Sequence, residues 1–237
     1  MIVITVLTYD RLEVAKRCIS SVAENLKASE EFWMHIADDG SSQDYRDELI
    51  ELARSLFGDN VSMSNSERSG YGGNYNASTQ ITHRIADLIL PLEDDWELLR
   101  ELNLDPIAAV LRDGTFGCVR MGYIGLTQEL RAKFVLAHFH HWLALDPDSA
   151  ERHVWAGGPR LETVEWERAV GPWPEYMEQG YTEHLVAAFP AARYGVAWPV
   201  GLINPRGDAF AHIGGEKASI EGIDTSKAGL PIAEGVV

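Results

Sequence analysis

A short apolar run, Leu90-Pro91-Leu92, stops on three consecutive acids, Glu93-Asp94-Asp95, and apolar character resumes at once with Trp96. The residues before it, Ile85-Ala86-Asp87-Leu88-Ile89-Leu90, read as the end of a helix followed by a buried strand. Adjacent carboxylates repel, so a fold that sets three of them at the end of a buried strand has to supply a compensating charge. A divalent cation does this naturally: Mg²⁺ and Mn²⁺ favour hard oxygen ligands and keep positions open for water and phosphate oxygens. An acidic turn, or the first turn of a helix, is the competing reading of the same three residues. The rest of the chain tips the balance.

Met1 to Leu7 is a dense β-branched run, the mark of a central strand covered on both faces. Thr8-Tyr9-Asp10-Arg11 turns the chain. From Leu12 to Leu26, apolar residues at Val14, Ala15, Cys18, Ile19, Val22, Ala23 and Leu26 predict an amphipathic helix. Phe32 to Ala37 reads as a second strand ending on Asp38-Asp39-Gly40-Ser41-Ser42. A helix follows over Asp44–Phe57 and a short strand over Val61–Ser64. Ser69-Gly70-Tyr71-Gly72-Gly73-Asn74 reads as a glycine-rich loop, and Ala77–Leu88 as a helix leading into the strand before Glu93. Such alternation predicts an α/β domain with a doubly wound, largely parallel sheet, whose ligands bind beyond the carboxyl ends of the strands. Thr8, Asp38, Asp39 and Glu93–Asp95 all fall at such ends.

The second half is less regular. Phe116–Met121 reads as a strand. Glu129–Leu145 mixes strand and aromatic segments around His138, His140 and His141, whose spacing is not that of a zinc site. Trp155–Arg160 reads as a loop, Thr163–Val170 as a short helix, Pro172-Trp173-Pro174 as a rigid connector and about Tyr181–Phe189 as a helix. The tryptophans at 142, 155, 166, 173 and 198 are expected mainly in the core, with one or two free to face a cleft and stack on a ligand. Residues 216–237 are small and polar and are expected to form a loosely held tail.

The net charge of −16, from 20 basic and 36 acidic residues, argues against a broad surface for nucleic acid or an anionic membrane. Cys18 and Cys118 form no metal or redox spacing and are expected as buried thiols in a reducing compartment. The N-terminus lacks the basic leader and cleavage site of a signal peptide, and no run approaches membrane-spanning length. These features predict a soluble cytoplasmic protein with no membrane partner.

Four stretches, taken together, resemble the family 2-like glycosyltransferases with the GT-A fold. Val6-Leu7-Thr8-Tyr9-Asp10-Arg11 and the helix carrying Cys18-Ile19-Ser20-Ser21-Val22 look like that family's opening strand, turn and helix. Ala37-Asp38-Asp39-Gly40-Ser41-Ser42 is similar to its nucleotide-binding acidic loop. Gly70-Tyr71-Gly72-Gly73-Asn74 with Asn76 is similar to its glycine/asparagine loop, and Leu92-Glu93-Asp94-Asp95 stands where its DxD metal motif is expected. The likeness covers roughly the first 100 residues. Beyond them, Ala156–Glu175 looks like the acceptor-side segment, and Thr182-Glu183-His184-Leu185 stands where the family carries a Glu-Asp pair, with His184 in place of the Asp.

The resemblance implies a single GT-A (Rossmann-like) domain with a mostly parallel central sheet flanked by helices. Residues 1–100 would form its nucleotide-sugar half and 101–215 its acceptor half. It implies transfer of a sugar from a nucleoside-diphosphate sugar, UDP-linked first, to an acceptor hydroxyl with inversion, assisted by Mn²⁺ or Mg²⁺. Asp95 would be the chief metal ligand, helped by Asp94 or water, with Glu93 reaching the ribose and His212 as a C-terminal ligand. Thr8, Tyr9 and Arg11 would line the nucleotide edge, and Asp38 and Asp39 would bond the base and ribose. Arg68 would meet a phosphate. Gly70, Gly72 and Gly73 would admit close backbone approach beside Asn74. Glu183 is the candidate general base, since such a displacement needs a carboxylate within reach of the acceptor hydroxyl.

A glycan or small-molecule acceptor is favoured over nucleic acid. A modified DNA base is retained as a minor alternative should Arg112, Arg120, Arg131 and Lys133 gather locally. Two other functions compete. A nucleotidyltransferase on the same scaffold would need a basic phosphate cradle that Thr8–Arg11 does not supply. A non-catalytic binding module would fit the missing Glu-Asp pair but not the intact acidic triplet.

Overall fold

The first strand, β1 (Ile2–Thr8), is buried along its whole length, because helices cover both of its faces. The structure is a computed structural model describing residues 1–121, 131–149, 157–200, 209–215 and 222–228. After β1 come α1 (Leu12–Asn25), β2 (Leu26–Lys27), β3 (Phe32–Asp38), α2 (Gln43–Phe57), β4 (Val61–Asn65), α3 (Gly70–Thr82) and β5 (Leu88–Glu93). The second half adds β6 (Trp96–Leu98), β7 (Leu102–Asn103), α4 (Asp105–Arg112), β8 (Cys118–Arg120), β9 (Ala132–Ala137) and β10 (His140–Leu145). The described chain closes with β11 (Arg160–Thr163), α5 (Val164–Val170), α6 (Gln179–Ala187), β12 (Val196–Val200) and β13 (Phe210–His212).

Among the described residues, nine strands form one sheet in the order β4-β3-β1-β5-β11-β8-β12-β10-β9. The first four are mutually parallel, with Leu7 level with both Ala37 and Glu93, so β1, β3 and β5 end together. β11 runs antiparallel to β5 and β8 and joins the halves through Glu162 opposite Ile89. One face of β1 (Ile2, Ile4, Val6) packs under α1, α2 and α4 through Ile19, Val22, Leu49, Ile107 and Val110. Leu7, from the other face, joins a second core with Tyr75, Trp166, Trp173 and Val186 under α3, α5 and α6. Each fully buried aliphatic side chain contributes about 1.5–3 kcal/mol of transfer free energy, which is why the β-branched run sits at the centre.

The fold is the expected α/β class, with local corrections. The 69–74 stretch is not a loop: Gly70 opens α3, which runs to Thr82 rather than spanning 77–88. Gly72 and Gly73 serve packing, while Gly70 lines the cleft described below. A Cβ on Gly72 would lie 1.9 Å from the Pro174 carbonyl oxygen, and one on Gly73 2.3 Å from Ser69 Oγ. Arg160, read as the end of a loop, begins β11, and Val196–Val200 forms β12, a strand the apolar pattern did not single out. The histidine-rich segment is a hairpin, β9 with β10, turning at His138 and Phe139, both at positive φ. Both cysteines are buried and unbridged. Of the anticipated tail, residues 222–228 are described, with a 3₁₀ turn over Thr225–Lys227; 216–221 and 229–237 lie outside the described residues, as do Trp155 and Ala156. No helix among the described residues is long and apolar enough to cross a membrane.

Candidate active site

The aligned carboxyl ends of β1, β3 and β5 open onto a cleft. It is lined by Thr8, Tyr9 and Arg11 from the first turn, Asp39 from the second, Arg68, Gly70, Tyr71 and Asn74 around the start of α3, and Glu93. Met177, Gln179 and Ile223 complete the lining, none of them anticipated from sequence. Gln179 and Glu183 did carry a signal, being four residues apart on one helix and so on one face.

The two aspartates at the end of β3 differ in what they do. Asp38 is fully buried and organises its own turn: its carboxylate accepts from Ser41 N at 2.9 Å, Gly40 N at 3.2 Å and Ser41 Oγ at 2.5 Å. Asp39 reaches the cleft wall. Its Oδ1 accepts from Ser69 N at 2.8 Å and Ser69 Oγ at 3.1 Å, and its Oδ2 from Gly70 N at 2.9 Å and from Arg68. Burial pushes the Asp39 carboxyl up, against the pull of Ser69 and Arg68. The Arg68 guanidinium also stacks 3.4 Å over the Tyr9 ring, so Tyr9, Arg68 and Asp39 form one flat polar wall at this end. Asn74 Nδ2 donates to Ala37 O at 2.8 Å, which fixes α3 against the end of β3.

The acidic triplet follows from the end of β5, with Glu93 in the cleft lining. Asp94 is fully buried, bonded by Thr8 Oγ1 at 2.9 Å and paired with Arg11; burial lifts its carboxyl to about 6 despite that pairing. Asp95 Oδ2 accepts from Arg11 Nη1 at 2.8 Å, with His212 Nε2 at 3.3 Å. Arg11 thus bridges both aspartates and is the counter-charge that the adjacent acids require. Glu93 Oε2 accepts from Gln179 Nε2 at 2.7 Å. Burial, then the Glu183 and Asp95 carboxylates, push Glu93 up to about 8. Glu93 is therefore tied to α6 while it lines the same cleft as Tyr9.

His212 reaches Asp95 because β13 pairs antiparallel with β6, setting His212 opposite Trp96, and Ile213 N donates to Asp95 O at 2.8 Å. A Cβ on Gly214 would fall 2.4 Å from Asp95 Oδ2, so only glycine lets this strand end lie so close. Glu183, in the middle of α6, accepts from Gly157 N at 2.5 Å. A Cβ on Gly157 would lie 1.9 Å from Glu93 Oε1 and 2.9 Å from both Glu183 Oε1 and the Tyr71 hydroxyl oxygen, so these three heads converge on one point. Gln179 and Gly157 hold the two glutamates in that geometry.

A divalent ion fits the Asp95 corner. Asp95 Oδ1 is buried without a hydrogen-bond partner, and His212 Nε2 stands beside the other oxygen. No group of three or more His, Cys, Asp or Glu among the described residues makes a metal cage. Two protein donors suit an ion that takes its remaining oxygens from water and phosphate.

Other expectations fall outside the cleft. His138 pairs with Asp113 at the hairpin turn. Arg112 pairs with Glu30 and Asp87, Arg120 is buried on β8, and Arg131 donates to a backbone carbonyl just before β9, which carries Lys133.

A parallel sheet whose strand ends carry an acidic triplet, with antiparallel strands appended, is the GT-A arrangement. Residues 3–155 match the family described as Glycosyl transferase family 2, and the chain belongs to that family. No curated protein matches the sequence. Among solved structures, S. aureus TarS superposes with a TM-score of 0.63 at 14% identity, covering 83% of this chain and 34% of that one. TarS 1-349 in complex with UDP-GlcNAc gives 0.59 at 16% identity over 83% and 55%. The mannosyltransferase PcManGT from Pyrobaculum calidifontis, in complex with GDP-Man and Mn²⁺, gives 0.56 at 15% identity over 85% and 55%. This chain thus spans between a third and just over half of the length of these proteins, and at such identities the likeness is one of fold.

Proposed function

We propose that this chain transfers a sugar from a nucleoside-diphosphate sugar, UDP-linked first, to an acceptor hydroxyl with inversion at the anomeric carbon. The observation that carries the reading is the orphaned Asp95 Oδ1, with His212 Nε2 at the other oxygen of the same carboxylate, two positions after Glu93 of the cleft that Tyr9, Asp39 and Arg68 also line. Tyr9, Asp39 and Arg68 would receive the base and ribose, with Asp38 shaping the turn that presents Asp39. Asp95 and His212 would hold Mn²⁺ or Mg²⁺, which when bound neutralises charge on the diphosphate leaving group. Arg11 adds a second positive charge at that end. Glu183, held by Gly157 N, would take the acceptor's proton as its oxygen bonds to the anomeric carbon and the bond to the diphosphate breaks on the far side. His184, where the family carries an acid, is outside this scheme.

The acceptor belongs to the uncharged class, a glycan or small-molecule hydroxyl, because the basic residues that a DNA acceptor would need are scattered or buried. Both thiols are free, which suits a reducing compartment such as the cytoplasm.

The test is a panel of UDP-, GDP- and CMP-sugars with Mn²⁺, Mg²⁺ or EDTA, read by thermal shift and by nucleotide release. Metal-dependent stabilisation by one donor, lost in Asp95→Asn, is expected. Stabilisation by none of them would remove the enzymatic reading and leave a GT-A-type binding module.

A further inference from the structure

We propose that β9 is an interaction surface for a second copy of this chain, pairing antiparallel with the partner's β9 about a two-fold axis at Val135. β9 ends the nine-stranded sheet, with β10 on one side and no strand among the described residues on the other. The register fixes which residues turn outward. Asp146 N donates to Arg131 O at 2.9 Å across the edge shared with β10, one step beyond the Ala132–Leu145 pair. Backbone groups alternate along an antiparallel pair. Those of Arg131, Lys133, Val135 and Ala137 therefore point to β10, and those of Ala132, Phe134 and Leu136 point away. Side chains alternate between the two faces as well. Val135 and Ala137 pack against the first core, whereas Phe134 is 74% and Leu136 68% exposed. Phe139, at the hairpin tip, is fully exposed.

An open strand edge invites pairing, and proteins usually blunt it with proline, charge or a bulge. β9 sets a single lysine against two exposed large apolar side chains. Pairing about Val135 places Phe134 opposite the partner's Leu136, and Leu136 opposite the partner's Phe134. These are the residues whose N–H and C=O groups point outward, so each such pair exchanges two backbone hydrogen bonds while its side chains meet on one face. Lys133 falls opposite the partner's Ala137, so no like charges face each other. The tip carrying Phe139 reaches the partner's Arg131. A contact of this kind is self-complementary and closes at two copies. Each phenylalanine brings roughly 150–250 Å². With Leu136 and the strand edge added, two copies bury about 1,000 Å², the size that a specific contact needs. β9 stands five strand spacings from β5, or about 24 Å, so the contact leaves both clefts clear.

The test is sedimentation velocity of the whole chain across the micromolar range. A dimer is expected, with a dissociation constant raised about tenfold or more in Phe134→Lys and in Leu136→Lys and an unchanged far-UV circular dichroism spectrum. Val135→Cys marks the axis. Its two copies would lie about 4.5 Å apart at Cα, within disulfide reach, and should link under mild oxidation. Lys133→Cys should stay unlinked, because its copies would stand about 14 Å apart. Cys18 and Cys118 are buried, so the wild type gives no background link. A monomer throughout that range, a dimer that neither lysine variant weakens, or a cross-link at Lys133→Cys in place of Val135→Cys overturns the inference.

Discussion

Arg11 is the residue on which the acidic triplet depends. It stands one turn beyond β1, yet it pairs with both Asp94 and Asp95, 83 and 84 positions later. Replacing it with methionine keeps the stem and removes the charge, stranding a fully buried Asp94. The expected cost in EDTA is about 3 kcal/mol of stability, read by denaturant titration. Mn²⁺ should recover part of it, because the same carboxylates then have a cation. Equal stability with and without Mn²⁺ in Arg11→Met would show that no ion binds at that corner. His35 offers a test away from the site. It is fully buried on β3 between Ser62 Oγ at 2.9 Å and Ser64 Oγ at 3.1 Å, and burial pushes its imidazole down from 6.5 to about 4. The unfolded chain therefore takes up a proton as pH falls through 6.5 while the folded ring stays neutral. Stability contributed by the neutral ring is intact above 6.5 and is lost progressively down to about 4, by up to roughly 3 kcal/mol in total. In His35→Gln that component of the pH dependence should vanish; an unchanged slope between pH 7 and 5 would show that the folded ring takes up its proton over the same range as the unfolded one.

Among the elements, α3 and α6 carry the site between them, and one side chain joins their approach. Asn76 on α3 donates to Trp173 O and Glu175 Oε1, and accepts from Trp173 N, each at 2.8 Å. These bonds fasten the Pro172–Glu175 connector that leads into α6 and so to Gln179 and Glu183. Asn76→Ala should cost about 2–3 kcal/mol by chemical denaturation. Its turnover with whichever donor the sugar-nucleotide panel selects should fall more than its nucleotide affinity, because Glu183 lies beyond that connector whereas Asp39 is held by Ser69 and Gly70 at the start of α3. An equal fall in both would mean that α3 itself had shifted. This is also where sequence reading came closest to the site without reaching it. The glycines at 70–73 stood out, but as a loop for a ligand, whereas Gly72 and Gly73 let a helix lie directly on Pro174 and Ser69. Local composition cannot separate these uses, since both require only the absence of a side chain.

Among the described residues, the sheet passes unbroken from the parallel strands of the first half of the chain to the strands of the second through β5 and β11. Arg160 and Glu162 on β11 are fully buried, bonded to each other at 2.8 Å and to the Tyr75 hydroxyl, which ties the junction to α3. A shared sheet and a shared buried network predict one cooperative unfolding transition. Far-UV circular dichroism and tryptophan fluorescence should therefore give the same midpoint, and two separated midpoints would mean that the halves unfold independently.

The sequence by itself determined the layered α/β class, the strand ends at Thr8, Asp38 and Glu93, and the chemical character of the acidic triplet. Those features are local. A β-branched run, a helical repeat of apolar residues and three adjacent acids carry their meaning within a few positions, because burial on both faces and charge repulsion act on neighbours. Tertiary structure alone decided that Asp38 shapes its turn while Asp39 faces the cleft, that Arg11 bridges the aspartates, and that Gly157, Tyr71, Glu93 and Glu183 converge. It likewise brought β13 onto β6, placing His212 beside Asp95. Each of these depends on which distant strand or helix lies alongside, and that is settled by the packing of the two cores rather than by residue type at the position itself.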